Sequence, residues 1–307
     1  MSTFDGQMEN HIISKHTVPA IENKIRVSDY LINVFEQLPS RKSVKKSLKR
    51  KEILHNGSIA LSGTYVKTGD QFELLESLRP VPKVFPLDLK VHYEDEYLAV
   101  IYKPAGYPVS GNVYKSIYNA LTYNLNKSSQ RDALDWPQPI HRLDAQTSGL
   151  LVITKTISVR IKLGEMLAKK EIAKLYHAIV QGRIQTKGEL NSSIEGKKCL
   201  SKINTLKIEK SKYNGHLTLM ELSPVTGRTH QLRIHLSRLG YPIAGDKLYG
   251  KKGNTIQHKG LFLSAVQLTF KHPINGEEIT IRTDTPQKFT SYMLRESSNA
   301  KNLGSKN

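Results

Sequence analysis

His141-Arg142-Leu143-Asp144-Ala145-Gln146-Thr147-Ser148-Gly149 runs directly into the apolar stretch Leu150–Thr154. The second part has the length and branched composition of a buried strand, and the first is the polar loop that feeds it. An Asp in such a loop commonly caps a turn, its carboxylate accepting backbone N–H groups. Here His141 and Arg142 stand beside Asp144, so an anion is flanked by cations at a sheet end, where a rigid scaffold presents side chains to ligands. A second polar cluster, Thr226-Gly227-Arg228-Thr229-His230-Gln231-Leu232-Arg233-Ile234-His235-Leu236, has two readings. With Thr229 as N-cap and Gly240 just past the end, it is a helix that buries Leu232, His235, Leu236 and Leu239, with Arg228, His230 and Arg233 near its first turn. As a strand, it puts Gln231, Arg233 and His235 on one face. Either geometry can aim Arg233 at a carboxylate or a phosphate.

Around these clusters, strands are expected at 97–102, 150–154, 174–181, 216–222, 260–270 and 278–282, and helices at 117–126, 159–169 and 229–239. Strands outnumber helices without alternating strictly with them. The expected class is therefore α+β, with a mixed, largely antiparallel sheet over residues 91–296. Pro80, Pro82 and Pro86 mark residues 81–90 as an extended linker. Residues 25–80 form a smaller domain: a helix over 27–36, then a basic helix opened by Ser40. In it Val44 and Leu48 make an apolar stripe, and Lys42, Lys45, Lys46 and Lys49 share the exposed face. Short strands at 58–61 and 71–75 follow the turn signals Asn56-Gly57 and Gly69-Asp70. Residues 1–24 read as a flexible N-terminal segment and 297–307 as a polar tail.

Composition narrows the partner. The 307 residues carry 46 Lys plus Arg against 27 Asp plus Glu, a formal charge of +19. Residues 91–296 with the linker hold +14 of this, and residues 25–80 hold +4. Arg41, Lys42, Lys45, Lys46, Lys49, Arg50 and Lys51 crowd into one short stretch whose like charges repel unless a polyanion offsets them. Nucleic acid fits that balance, and a membrane surface does not, because the basic residues are spread along the chain rather than gathered on one amphipathic helix. The single cysteine, Cys199, excludes an internal disulfide framework, reads as packing and fits a reducing, cytoplasmic setting. No secretory leader, long apolar run or metal-ligand spacing is visible: His230 and His235 are five apart, off the same-face spacing of a helical zinc pair. No obligate protein partner is indicated.

Residues 25–80 resemble the S4-like (αL) RNA-binding domain in the Ser40-Arg41 pair opening the basic helix, the Asn56-Gly57 turn and the Gly69-Asp70 step before the last strand. The resemblance implies RNA contact through Arg41, Lys42, Lys45, Lys46 and Lys49. Residues 95–290 resemble the RluA-type pseudouridine synthases. The carrying motifs are Tyr102-Lys103-Pro104-Ala105-Gly106, His141-Arg-Leu-Asp144 with Thr147-Ser148-Gly149, Lys174-Leu-Tyr176, Thr226-Gly-Arg-Thr-His-Gln-Leu-Arg233, and Gly240-Tyr-Pro-Ile-Ala-Gly-Asp246. Leu263-Ser264-Ala265 departs from the family's Leu-His-Ala.

That likeness implies that uridine is isomerised in structured RNA, ribosomal RNA favoured and transfer RNA possible, with no cofactor and no metal. Asp144 would attack C1′ or take the C2′ proton. Arg233 would pair with it, orient it and favour its ionised form. Tyr176 would pack on the uracil and could help remove the C5 proton. His141, Arg142, Arg228 and His230 would hold substrate, with Arg142 plugging the vacated base stack or clamping a phosphate. The competing reading is a non-catalytic RNA-binding module. The intact Asp144, Tyr176 and Arg233 set argues against it, because a binder gains nothing from an Asp facing phosphate. A metal-free RNA hydrolase lacks the ordered histidines it would need.

Overall fold

In the computed structural model, which describes residues 11–76, 82–250 and 259–304, the chain divides into two units, Met1–Val81 and Pro82–Asn307. The N-terminal unit runs β1 (Ile12–Thr17), α1 (Val27–Tyr30), α2 (Arg41–Lys49), β2 (Ile53–His55), β3 (Ser58–Ile59) and β4 (Gln71–Leu75). Its sheet has the order β1-β4-β2-β3 and is antiparallel throughout. Ser40 caps α2, its side chain accepting from the Ser43 N–H while the Ser43 hydroxyl oxygen accepts from the Ser40 N–H. Val44 and Leu48 enter a core with Val27, Leu31, Phe35 and Phe72, so the exposed lysines of α2 stand on the opposite face.

Two expectations fail in this unit. Residues 12–17 are not a flexible segment but the edge strand β1, paired with β4. Its inward positions include Ser14 and His16, and the His16 ring is held by the Tyr30 hydroxyl at 2.8 Å, so hydrophobicity gave no sign of a strand. The first helix stops at Tyr30 rather than Glu36. Asn33 takes a left-handed φ of 63° and its N–H turns back to the Leu38 carbonyl.

The C-terminal unit runs β5 (Lys90–Glu94), β6 (Leu98–Lys103), α3 (Ile117–Asn124), β7 (Ala133–Pro139), β8 (Ser148–Thr156), α4 (Ile157–Ala168) and β9 (Ala173–Gln181). It continues with β10 (Lys187–Ile194), β11 (Lys197–Ser211), β12 (Gly215–Pro224), α5 (Gln231–Arg238), β13 (Leu263–Lys271), β14 (Glu278–Arg282) and α6 (Gln287–Gly304). One ten-stranded sheet has the path β10-β11-β12-β9-β13-β8-β6-β5, with β14 beside β13 and β7 beside β8. Only the β13–β8 pairing is parallel, so the mixed, mostly antiparallel expectation holds.

β6 and β8 are buried on both faces. Leu98, Val100, Leu150 and Val152 pack with Val159 and Leu163 of α4, and Ala99, Ile101, Leu151 and Ile153 pack in the other core with Ile117 and Leu121 of α3. That is why these stretches read as unbroken apolar runs.

The linker and tail also need correction. Residues 77–81 lie outside the described residues, but from Pro82 the chain is docked rather than free. Phe85 and Leu87 pack on the main core, the Phe85 N–H donates to the Asn119 carbonyl, and the Leu89 N–H donates to Asn124 Oδ1. Residues 297–304 continue α6 instead of forming a tail. Phe289, Tyr292 and Met293 bury its stripe, and the Ser297 hydroxyl donates to Glu209 Oε2 of β11 at 3.0 Å.

Candidate active site

Asp144 lies in the loop between β7 and β8, closed by the Thr147 N–H donating to the Asp144 carbonyl. The Lys103–Gly106 turn clamps that loop from below. The Gly106 N–H donates to the Ala145 carbonyl at 2.7 Å, and Lys103 Nζ donates to the carbonyls of Ala145 and Pro104 at 3.1 and 2.9 Å. Lys103 is fully buried, and burial pushes its pKa down to about 8 against the opposing pull of Asp144.

Behind the loop, Gly149 sits with φ +120° between Lys103 on one neighbouring strand and Ala265 on the other. A Cβ there would collide with the Ala265 backbone. Ser264, at the position that departs from the family pattern, accepts the Ser148 hydroxyl at 3.0 Å and ties β13 to the head of β8.

The second cluster is a helix, α5, but Thr229 does not cap it. The N-cap is His230, in a left-handed conformation without a side-chain cap bond. Gln231 does the closing instead: its Oε1 accepts from the Arg228 N–H and the Thr226 hydroxyl, and its Nε2 donates to the Leu200 carbonyl and Ser201 Oγ. The helix also ends at Arg238, so Leu239 is its C-cap, 40% exposed instead of buried.

The result aims Arg233 inward. Its Nη1 donates to Asp144 Oδ2 at 3.1 Å, and its Nε and Nη2 make a two-bond fork to Asp246 at 2.7 and 2.8 Å. Asp246 also accepts the Leu248 and Tyr249 N–H groups on Oδ1. Burial works to raise the Asp246 pKa, but Arg233 and the two amides outweigh it and hold it below the usual carboxylate range. Burial also works against the Arg233 charge, and the Asp246 and Asp144 carboxylates override it. Asp246 closes the Gly240–Asp246 motif, which by itself indicates no role for it. The contact that assigns one spans thirteen residues, beyond any local pattern.

Asp144 and Arg233 line a cleft of about 850 Å³, together with Tyr176, Lys174 and Lys202, and Asp246 is buried behind them. Tyr176 is 8% exposed, and burial followed by the Asp144 charge raises its pKa well above the ordinary phenol value. The phenol is therefore neutral at physiological pH and serves as a wall more readily than as a base. Arg142 is exposed on the rim and makes no ion pair among the described residues. Arg228 is likewise exposed on the lining. His230 approaches Asp144 Oδ2 at 3.6 Å while its Nδ1 meets the Tyr249 hydroxyl at 3.0 Å.

His141 also lines the cleft, but its Nε2 accepts the Val152 N–H at 3.2 Å and burial drives its pKa well down, so it braces β8 as a neutral ring. Of the other predicted contacts, Lys42, Lys45, Lys46 and Lys49 are exposed on α2, and Arg41 is paired with Asp29 at 2.8 Å. Cys199 is buried. Among the described residues no group of three or more His, Cys, Asp or Glu is set to hold a metal, and no helix is long and apolar enough to cross a membrane.

Comparison with known proteins bears on the whole arrangement. The family model described as RNA pseudouridylate synthase matches residues 97–238. The ribosomal large subunit pseudouridine synthase C of Rickettsia felis is 33% identical, over 88% of this chain and 96% of its own length. The ribosomal large subunit pseudouridine synthase D of Xylella fastidiosa is 30% identical over 92% of both chains. Among solved structures, human RNA pseudouridylate synthase domain containing 1 shares the fold with a TM-score of 0.55 at 23% identity, covering 65% of this chain and 84% of that one.

Proposed function

We infer substrate and residue roles from one premise: the chain belongs to the RNA pseudouridine synthase family and is an RNA-modifying isomerase. Its proposed substrate is ribosomal RNA of the large subunit, the substrate class in the names of its relatives from Rickettsia felis and Xylella fastidiosa. The observation that carries the residue roles is the Asp144–Arg233 contact at 3.1 Å inside a cleft whose other charged lining residues, among those described, are cations. The reaction breaks the N1–C1′ bond of a uridine, turns the base and joins C5 to C1′, with the C5 proton lost and N1 protonated.

Asp144 is the group placed to start it, by attack at C1′ or by removal of the C2′ proton. Arg233 holds the carboxylate in place, and Tyr176 forms the apolar wall for the uracil. The base must leave its stack at a cost of about a few kcal/mol, and Arg142 on the rim is placed to fill the gap or hold a flanking phosphate. The N-terminal unit is read as an S4-like RNA-binding domain on the support of the capped basic helix, whose exposed lysines make no ion pair among the described residues.

The test is incubation with uridine-labelled large-subunit RNA, followed by digestion to nucleosides. Pseudouridine is expected from the wild type and not from Asp144→Asn. Equal yields from the two would remove Asp144 from the reaction.

A further inference from the structure

A second, smaller cavity of about 320 Å³ opens in the C-terminal unit, lined by Lys259, Phe262, Lys288, Ser291, Tyr292 and Arg295. Among the described residues it has three cations and no carboxylate in its lining, and none of the three cations makes an ion pair. Glu296, the acid next along α6, is buried and accepts the Ser211 hydroxyl at 2.7 Å. Lys288 Nζ stands 4.3 Å from the Phe262 ring centre, and its one hydrogen bond to a described residue, the Leu261 carbonyl, is long at 3.4 Å. Arg295 lies over the Tyr292 ring. Burial, and then the neighbouring Lys259, work against the Lys288 charge. Lys259, Lys288 and Arg295 stand exposed around an apolar floor with no carboxylate among the described lining residues, so their like charges make a locally positive concavity that attracts an anion from solvent.

The cavity's position says which anion. A Cβ placed on Gly260 would lie 3.6 Å from Lys288 Nζ and 3.9 Å from Gln146 Oε1, so a single glycine separates the cavity from the loop that carries Asp144. Phe262 and Tyr292 are buried under the cations, so they shape the floor and leave no ring face free to stack a base. We propose that Lys259, Lys288, Ser291 and Arg295 form a subsite for one backbone phosphate of the substrate RNA, a few nucleotides from the target uridine, reached over Gly260. The subsite fixes the strand's register against Asp144 and reads no base. This rests on the RNA-modifying function proposed above and adds to it the path of the strand.

The test uses a stem-loop from large-subunit RNA, chosen for tight binding, in which single linkages are replaced one at a time by uncharged methylphosphonate. Affinity is measured on an Asp144→Asn background, which prevents turnover. One linkage is expected to cost about tenfold when neutralised, in line with the loss of a charge-assisted contact. In Lys288→Gln/Arg295→Gln that same linkage is expected to cost less than about twofold, because the partner is already gone. Lys187→Gln, an exposed charge on β10, controls for general electrostatics and should weaken every RNA alike while keeping the sensitive linkage. With Asp144 restored, the double variant should raise KM and leave kcat within about twofold. If the Lys288/Arg295 variant keeps the full tenfold loss at every sensitive linkage, the subsite is refuted. Pseudouridine yield from the wild type on unmodified RNA is scored separately. Product without a Lys288-dependent linkage removes the subsite alone, and a Lys288-dependent linkage without product removes the enzymatic reading alone.

Discussion

Replacing Asp246 by Asn keeps its volume and removes its charge, which makes it the sharpest probe of the site. Arg233 has a side chain only 8% exposed, and its guanidinium is shared between Asp246 and Asp144. After the change its remaining anion is Asp144, through a single 3.1 Å bond. Breaking a buried ion pair by removing one partner costs about 3–5 kcal/mol, because the surviving charge stays buried. The Asn oxygen can still accept one or two of the four bonds that end on Asp246, so the lower end, about 3 kcal/mol, is expected. For a domain of this size that corresponds to a melting point lower by about 6–12 °C.

Catalysis should suffer separately. Without the fork the Nη1 that orients Asp144 is no longer fixed, and a misplacement of about 1 Å lowers kcat by about 10- to 100-fold, with KM little changed. Thermal melting and single-turnover pseudouridine formation read the two effects. Arg233→Met on top of Asp246→Asn should recover part of the lost stability, since the orphaned charge goes with it, but none of the rate. The pH dependence has a definite sign. Asp246 has a lowered folded-state pKa, so its contribution is present above the ordinary carboxylate range and disappears as pH falls through the folded value. The stability gap between wild type and Asp246→Asn should therefore narrow in acid. A variant that melts within about a degree of wild type and turns over at the same rate would refute the positioning role.

Lys103 gives the opposite pH signature. With its pKa pushed down to about 8 by burial, the unfolded chain binds its proton up to about 10.5 and the folded chain does not. Its cost is fully present below pH 8 and is relieved by about 3 kcal/mol as pH rises from 8 to 10.5. Lys103→Met should flatten that rise in urea titrations at pH 7 to 10, and should lower kcat because the Asp144 loop loses its clamp. In the N-terminal unit, Lys45→Glu/Lys46→Glu should weaken binding to full-length RNA and reduce the slope of log affinity against log salt by about two, while turnover on a minimal stem-loop survives. An unchanged slope would remove α2 from the RNA interface.

Legibility in the sequence followed the range of the interactions. Asp144 and its flanking residues were readable because their setting is local: a polar loop against a strand so apolar that nothing else fits. Arg233 was readable as a cation aimed at an anion, and its helix by its apolar spacing. The start of that helix was not, because Gln231 closes it through Leu200 and Ser201, some thirty residues away. β11 was missed for a different reason. Five exposed lysines interrupt its apolar pattern, and its hydrogen bonds to β10 and β12 hold it where composition gives no signal. β1 hides for the same reason, with His16 facing inward as an aromatic partner of Tyr30 and Phe35 rather than as a charge. His141 shows the converse error: a histidine beside an arginine looks cationic in sequence, and only burial against the Val152 N–H shows it to be neutral.

The three charged groups at the centre explain one another once Asp246 is included. A cation paired with Asp144 alone would neutralise the group proposed to react, since an ion pair in a partly buried cleft is electrostatically strong. Asp246 prevents this by taking the guanidinium through its better two-bond geometry, at 2.7 and 2.8 Å against 3.1 Å for Asp144. The trio then carries a net charge of about −1, located on Asp144, inside a lining of lysines and arginines that attracts phosphate. Arg233 and His230 both approach Oδ2, and among the described residues no hydrogen bond ends on Oδ1. In the proposed mechanism one oxygen holds the carboxylate still and the other is left for the sugar. Loss of the Asp246 fork should therefore lower the rate even where Arg233 and Asp144 remain in contact.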